Sequence, residues 1–132
     1  MTTSVDAQVA RKRVLDVGNC QPDHASLRRL IEGGYGAKLV QAHGPEDALA
    51  ELHAGKFDLV LVNRKLDRDY TDGIEIIKAI KANPAIASTP VMLITNYVEH
   101  QDAAVAIGAE RGFGKLEFDL PATRERLSKF LG

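Results

Sequence analysis

Short apolar runs alternate with longer stretches of helical periodicity along almost the whole chain. Residues 13–18 ("RVLDVG"), 37–41, 57–62, 91–94 and 112–115 read as five strands. The third is the clearest. Leu59 to Val62 is apolar without alternation, as expected of a parallel strand covered on both faces. Between the strands the period changes. Pro22 can open a first helix, and Leu27, Leu30 and Ile31 give it an i, i+3, i+4 stripe. Gly33-Gly34-Tyr35-Gly36 stops it. Gly44-Pro45 starts a second helix with Ala48, Leu49 and Leu52 on one side, and Gly55 ends it. Asp72 is placed to cap a third, with Ile74, Ile77 and Ile80 inward. A weaker helix covers about 98–107 and ends at Gly108. Pro121 opens the last, where Leu127, Phe130 and Leu131 share a face.

Five strand–helix units in one short chain imply a single parallel sheet with helices on both faces. Right-handed crossovers favour a doubly wound α/β arrangement, with the flavodoxin-like strand order 2-1-3-4-5. The functional crevice of such a sheet lies at the carboxyl ends of its strands. Those ends fall at Gly18 to Cys20, Asn63, Thr95-Asn96 and Lys115.

Composition narrows the classes. The chain has 132 residues, enough for one domain and little more. Residues 1–11 are polar without strand character and read as a tail, leaving 12–132 as the domain. A net charge of −1 gives no field for nucleic acid or membrane. The basic groups at Arg11-Lys12-Arg13 and at Arg124, Arg126 and Lys129 read as solvated faces. One cysteine, Cys20, excludes an internal disulfide. The N-terminus lacks the apolar core of a secretory signal, and no run is long enough to span a membrane. A cytoplasmic protein is expected. His24, His43, His53 and His100 fall on separate elements, so no metal centre is expected. Asp67, Asp69 and Asp72 begin like a calcium loop but lack its remaining ligands and glycine. The glycines at 33, 34 and 36 do not follow a strand, so they make no dinucleotide fingerprint.

The strand ends carry a resemblance. "RVLDVGNCQPDH", "FDLVLVN", "DGIEIIKAIK", "PVMLIT" and "GAERGFGK" together resemble a bacterial response-regulator receiver domain of the chemotaxis-receiver kind. The resemblance implies a phospho-acceptor aspartate at the end of the third strand, an acidic pair after the first that helps hold Mg²⁺, and a Thr and a Lys that sense the phosphoryl group. Carried over by position, the sensing residues match Thr95 and Lys115. The acidic pair falls on Asn19 and Cys20, and the acceptor on Asn63. A carboxamide is a poor nucleophile, and Mg²⁺ usually requires one or two carboxylates. The resemblance therefore implies a pseudo-receiver: a non-enzymatic, phosphorylation-independent signalling module with no catalytic residue, no cofactor and weak or absent Mg²⁺ binding. Partners expected from the family are a histidine kinase, an output protein or a second copy, met through the fourth helix, fifth strand and last helix, without direct nucleic-acid or membrane contact.

Other departures surround the same crevice. The loop from Asn63 to Gly73 is longer than the family's usual spacing. The family's aromatic switch position falls on Gly112, and Leu116 replaces the proline after the lysine. Asp16 stands where the first strand normally has an apolar residue. Its carboxylate must be satisfied or protonated, most simply by lying near a strand end. Asn63 is expected to hydrogen-bond the loop and Lys115. Lys115, without its usual partner, needs solvent or another carboxylate, for which Asp16, Asp67, Asp69 and Asp72 are the candidates. Two alternatives stay open: a phosphorylatable receiver with its acceptor relocated to Asp16 or Asp67, and a flavodoxin-like domain that binds a small molecule.

Overall fold

A computed structural model describes residues 11–132; apart from Arg11, the tail assigned to residues 1–11 lies outside the described residues. Five strands, β1 (Arg13–Val17), β2 (Lys38–Ala42), β3 (Leu59–Asn63), β4 (Val91–Ile94) and β5 (Glu110–Phe113), alternate with five helices. The helices are α1 (Gln21–Arg28), α2 (Pro45–Ala54), α3 (Gly73–Ala82), α4 (Val98–Ala106) and α5 (Pro121–Leu131). All strand pairs are parallel, in the order β2-β1-β3-β4-β5. This is the doubly wound topology the alternation predicts.

The period of two along each strand divides the apolar residues into two cores. Leu15, Val17, Val60, Val62, Val91 and Leu93 face one way, onto Ala48 and Leu52 of α2, Ile76, Ile77 and Ile80 of α3, and Ala104 of α4. Val14, Leu59, Leu61, Met92 and Ile94 face the other way. They meet Leu27 of α1, Leu30 and Ile31 beyond it, and Leu127 and Leu131 of α5. Each such aliphatic side chain taken out of water stabilises by roughly 1.5–3 kcal/mol before entropy is counted. Asp16 shares the second face with Val14 and lies opposite Leu61 in register. It therefore points under α1.

Element ends follow local chemistry. Asp72 caps α3 by accepting from the Ile74 N–H at 3.0 Å. Asp47 accepts from the His43 and Gly44 amides, both at 2.7 Å, ahead of α2. α1 does not stop at a glycine. It widens into a π turn, Arg29–Gly33, before Gly36 turns the chain with φ +67°. The fifth strand ends earlier than its sequence suggests. Lys115 opens a 3₁₀ turn, Lys115–Glu117, because Gly114 leaves the sheet beneath the Asn96 side chain.

At Gly73 a Cβ would collide with the Asn63 carbonyl oxygen. Gly73→Ala should therefore cost roughly 1–3 kcal/mol. Gly33→Ala, with nothing within 4 Å of the added carbon, should be neutral or stabilising by up to about 1 kcal/mol. Urea unfolding of the two variants checks both.

Candidate functional site

The carboxyl ends of β1, β3, β4 and β5 converge on one crevice. Gly18 leaves β1 with φ +79° and Leu66 packed against its α-carbon, so a side chain there would be strained and would clash. Its carbonyl accepts from the Asn63 amide and from the Asp67 N–H. The β1–α1 turn and the β3–α3 loop are thereby joined.

Asp16 does not sit near a solvent-exposed end, as its charge suggested. It has no exposed surface. His24 Nδ1 lies 2.6 Å from one carboxylate oxygen, and the Asn19 amide donates to the other. Burial pushes the Asp16 carboxyl up from its ordinary value, against the hydrogen bonds of Asn19 and His24 and the charge of His24. A raised carboxyl of this kind adds stability at low pH that is lost as the pH rises through its folded value. Asn19 spends its amide on Asp16, and its Oδ1 is buried without a hydrogen-bond partner.

Lys115 does not pair with Asp16, Asp67, Asp69 or Asp72. Its partner is Asp23, in the first turn of α1, with Nζ 2.6 Å from Oδ2. The Cys20 thiol donates to the same oxygen at 3.2 Å. Partial burial would raise the Asp23 carboxyl, but the Lys115 and Cys20 hydrogen bonds and the Lys115 charge hold it below its ordinary value. Asp72 instead lies 3.9 Å from Lys65 across the loop. That loop closes on itself: Leu66 N–H donates to Thr71 O and Tyr70 N–H to Leu66 O. Tyr70 takes a left-handed φ of +59° there.

Asn63 is nearly buried, at 8% exposure. Its amide donates to Gly18 O at 3.2 Å and Lys65 O at 2.7 Å, and its Oδ1 accepts from the Arg64 N–H at 3.1 Å. The expected loop contacts are present; a hydrogen bond to Lys115 is not among them. Thr95 accepts from the Tyr97 N–H at 3.2 Å and lies 3.4 Å from His100 Nδ1. Gln101 of α4, which the sequence did not single out, binds three backbone groups. Its amide donates to Leu93 O and Thr95 O, and its Oε1 accepts from the Gly112 N–H. A Cβ at Gly112 would collide with the Leu93 carbonyl. Glycine at position 112 is thus fixed by close approach of β4 to β5.

A shallow cavity of about 240 Å³ lies over this crevice, lined by Asn63, Arg64, Lys65, Thr95, Tyr97 and Lys115, with Ile94 and Asn96. Its lining carries three cations and no carboxylate. Among the described residues no three His, Cys, Asp or Glu side chains gather as metal ligands. The donor set does not fit Mg²⁺, which prefers anionic oxygens. His24 and Asp23 were legible only as adjacent polar residues at a helix start. The one available signal was a polar helix face opposite an aspartate in a buried strand.

The chain matches the response regulator receiver domain family over residues 21–114. It belongs to that family. The match begins after Cys20 and stops before Lys115. The transcriptional regulatory protein ZraR of Salmonella typhimurium is 34% identical over 122 residues, covering 88% of this chain and 24% of that relative. The chain therefore spans about a quarter of the length of this curated relative. The receiver domain of a DNA-binding response regulator from Colwellia psychrerythraea superposes with a TM-score of 0.77 at 26% identity, covering 89% of this chain and 96% of that one. A chemotaxis response regulator of Vibrio cholerae, 20% identical with a TM-score of 0.68 over 91% of this chain and 95% of its own, shares the fold. Among the described residues no helix is long and apolar enough to cross a membrane.

The depressed Asp23 carboxyl contributes stability above its ordinary value of 3.8 that is lost as the pH falls through its folded value. Asp23→Asn should cost about 0.5–1 kcal/mol at neutral pH, because the pair is partly exposed. The gap to the parent protein should close as the pH drops below 3.8. Denaturant unfolding at several pH values measures it.

Proposed function

We propose that this receiver domain is an interaction module of two-component signalling whose docking does not depend on aspartyl phosphate. The observation that carries this reading is the Asp23–Lys115 ion pair. In the family the lysine pairs with the acceptor carboxylate at the end of the third strand; here that position is Asn63, and a carboxylate of α1 holds the lysine instead. Asn63 supports the same reading. It offers an amide where the family has its nucleophile, and that amide is engaged in structural hydrogen bonds. Asn19 and Cys20 supply no anionic oxygen for Mg²⁺, and Arg64, Lys65 and Lys115 repel a cation from the cavity.

Asp16 is poorly suited to be a relocated acceptor. A phosphodonor cannot reach a carboxylate with no exposed surface and both oxygens engaged. Conformational sensing is restrained as well. Thr95 is engaged within its own loop, and Gln101 ties α4 to β4 and β5. A domain held in one arrangement suits constitutive docking. The family face formed by α4, β5 and α5 exposes Tyr97, Val98 and Val105 at its α4 side and Leu120 at the start of α5, an apolar surface fit for a signalling protein such as a histidine kinase, an output protein or a second copy.

Incubation with acetyl phosphate or beryllofluoride and Mg²⁺, followed by intact mass and amide NMR spectra, tests the proposal. No mass gain and no shifts at Asn63, Thr95 or Lys115 are expected. A base-labile phosphoryl adduct overturns it, and loss of that adduct in Asp67→Asn would assign the acceptor there. Asn63→Asp alone should not restore transfer, since the Mg²⁺ ligands are still missing.

A further inference from the structure

α4 is held to the sheet in a way the other helices are not. Its buried residues are Gln101 and Ala104 alone. Every other helix buries at least one leucine or isoleucine, among them Leu27, Leu52, Ile77 and Leu127. Ile107, just past α4, is only partly buried. The larger apolar residues of α4 face outward instead, Val98 at 66% and Val105 at 40% exposure, with exposed Tyr97 before them. Ala104 offers little apolar area, so burial anchors this helix weakly.

The anchor is a side-chain amide. β4 and β5 lose register between Met92 and Ile94, whose partners are Glu110 and Phe113. Arg111 and Gly112 thus stand opposite Leu93, two residues against one, as in a β-bulge. Gln101, 6% exposed, bridges the strands there. Its Nε2 donates to Leu93 O at 2.9 Å and to Thr95 O at 3.2 Å, and its Oε1 accepts from the Gly112 N–H at 2.8 Å. One buried amide thereby satisfies backbone groups on both sides of the bulge and binds α4 to them. Withdrawing it leaves those groups unpaired in a dry interior, so the contact is made or broken as a whole. A second tie, Arg111 to Asp102, is exposed on both sides and contributes little. The helix begins without a capping side chain, and Gly108 follows it with φ +106°.

We propose that Gln101 is a latch, and that α4 opens as one unit between Asn96 and Gly108 when its amide leaves the bulge. A segment with few buried apolar contacts opens more readily than the domain unfolds, and here one polar side chain holds it closed. The latched state fixes how Tyr97, Val98 and Val105 are presented. A partner that fits them as they stand meets a preset surface. A partner shaped for another position of α4 must first break three buried hydrogen bonds, so the latch decides which partners the face admits. That consequence rests on the docking function proposed above; the opening itself belongs to the free domain and is measured without a partner.

Native-state hydrogen exchange of the full chain in low urea tests the latch. In the parent protein the amides of residues 102–106 and of Gly112 are expected to share one opening. It should be roughly tenfold or more frequent than the opening of β1 and β3, and less dependent on urea. Gln101→Met keeps the length of the side chain and removes its three hydrogen bonds. It should raise the α4 opening by about tenfold or more and bring relaxation dispersion to residues 96–108 and 112, with none in β1 and β3. Asp102→Asn, which breaks only the exposed ion pair, should change the opening by no more than about twofold. Exchange of α4 on the same urea dependence as β1 and β3 in the parent protein overturns the proposal, whether or not the variant folds. So does Gln101→Met without dispersion in α4, with dispersion spread equally over the sheet, or with no larger effect than Asp102→Asn.

Discussion

A carboxylate in the fourth position of a strand covered on both faces must be satisfied from inside the fold, and Asp16 sets that constraint. Leaving it ionised and unpaired would be costly in a low-dielectric interior. His24 and Asn19 satisfy it. The first fixes the N-terminal turn of α1 over the sheet; the second fixes the turn between β1 and α1. Asp23, next to His24 in sequence, is thereby brought to the end of β5, where it meets Lys115. One buried carboxyl group thus organises the arrangement of the crevice around it.

The crevice that results is balanced by its own residues. Its strand ends carry the amides of Asn19 and Asn63 and the thiol of Cys20, and the carboxylate that meets Lys115 comes from a helix. The loop after Asn63 does not provide it. Its acidic residues serve the loop and the cap of α3, through Asp69 to Thr71, Asp72 to Ile74 and Asp72 near Lys65. Asn19, Cys20 and Asn63 bring no carboxylate to this crevice, and Lys115 is paired there by Asp23 of α1.

Much of the architecture was legible in the residues. Apolar strands without alternation, Pro22, Pro45 and Pro121 at helix starts, and Asp72 before an isoleucine stripe placed five strands and five helices within a few residues of their observed bounds. The departures have local causes. The π turn extends α1 past Arg28, because Leu30 and Ile31 continue its buried stripe up to Gly33. β5 runs from Glu110 rather than Gly112, because its backbone pairs with Met92 and pairing takes no account of side-chain polarity.

The sequence by itself determined the sheet, its order, and the placement of Asn19, Asn63, Thr95 and Lys115 at the strand ends, because periodicity and chain direction are local properties. Which charges meet was decided only by tertiary structure. Asp16 and His24 are eight residues apart, and Asp23 and Lys115 belong to opposite ends of the chain. Their pairing depends on how far α1 is rotated over the sheet, and that rotation is set by packing of Leu27, Leu30 and Ile31 against Val14, Leu59 and Leu61. Hydrophobic pattern tells which face of a helix is buried. It does not tell which polar residues at its end will meet a partner across the crevice, because that is decided by a few ångströms of approach that no local signal encodes.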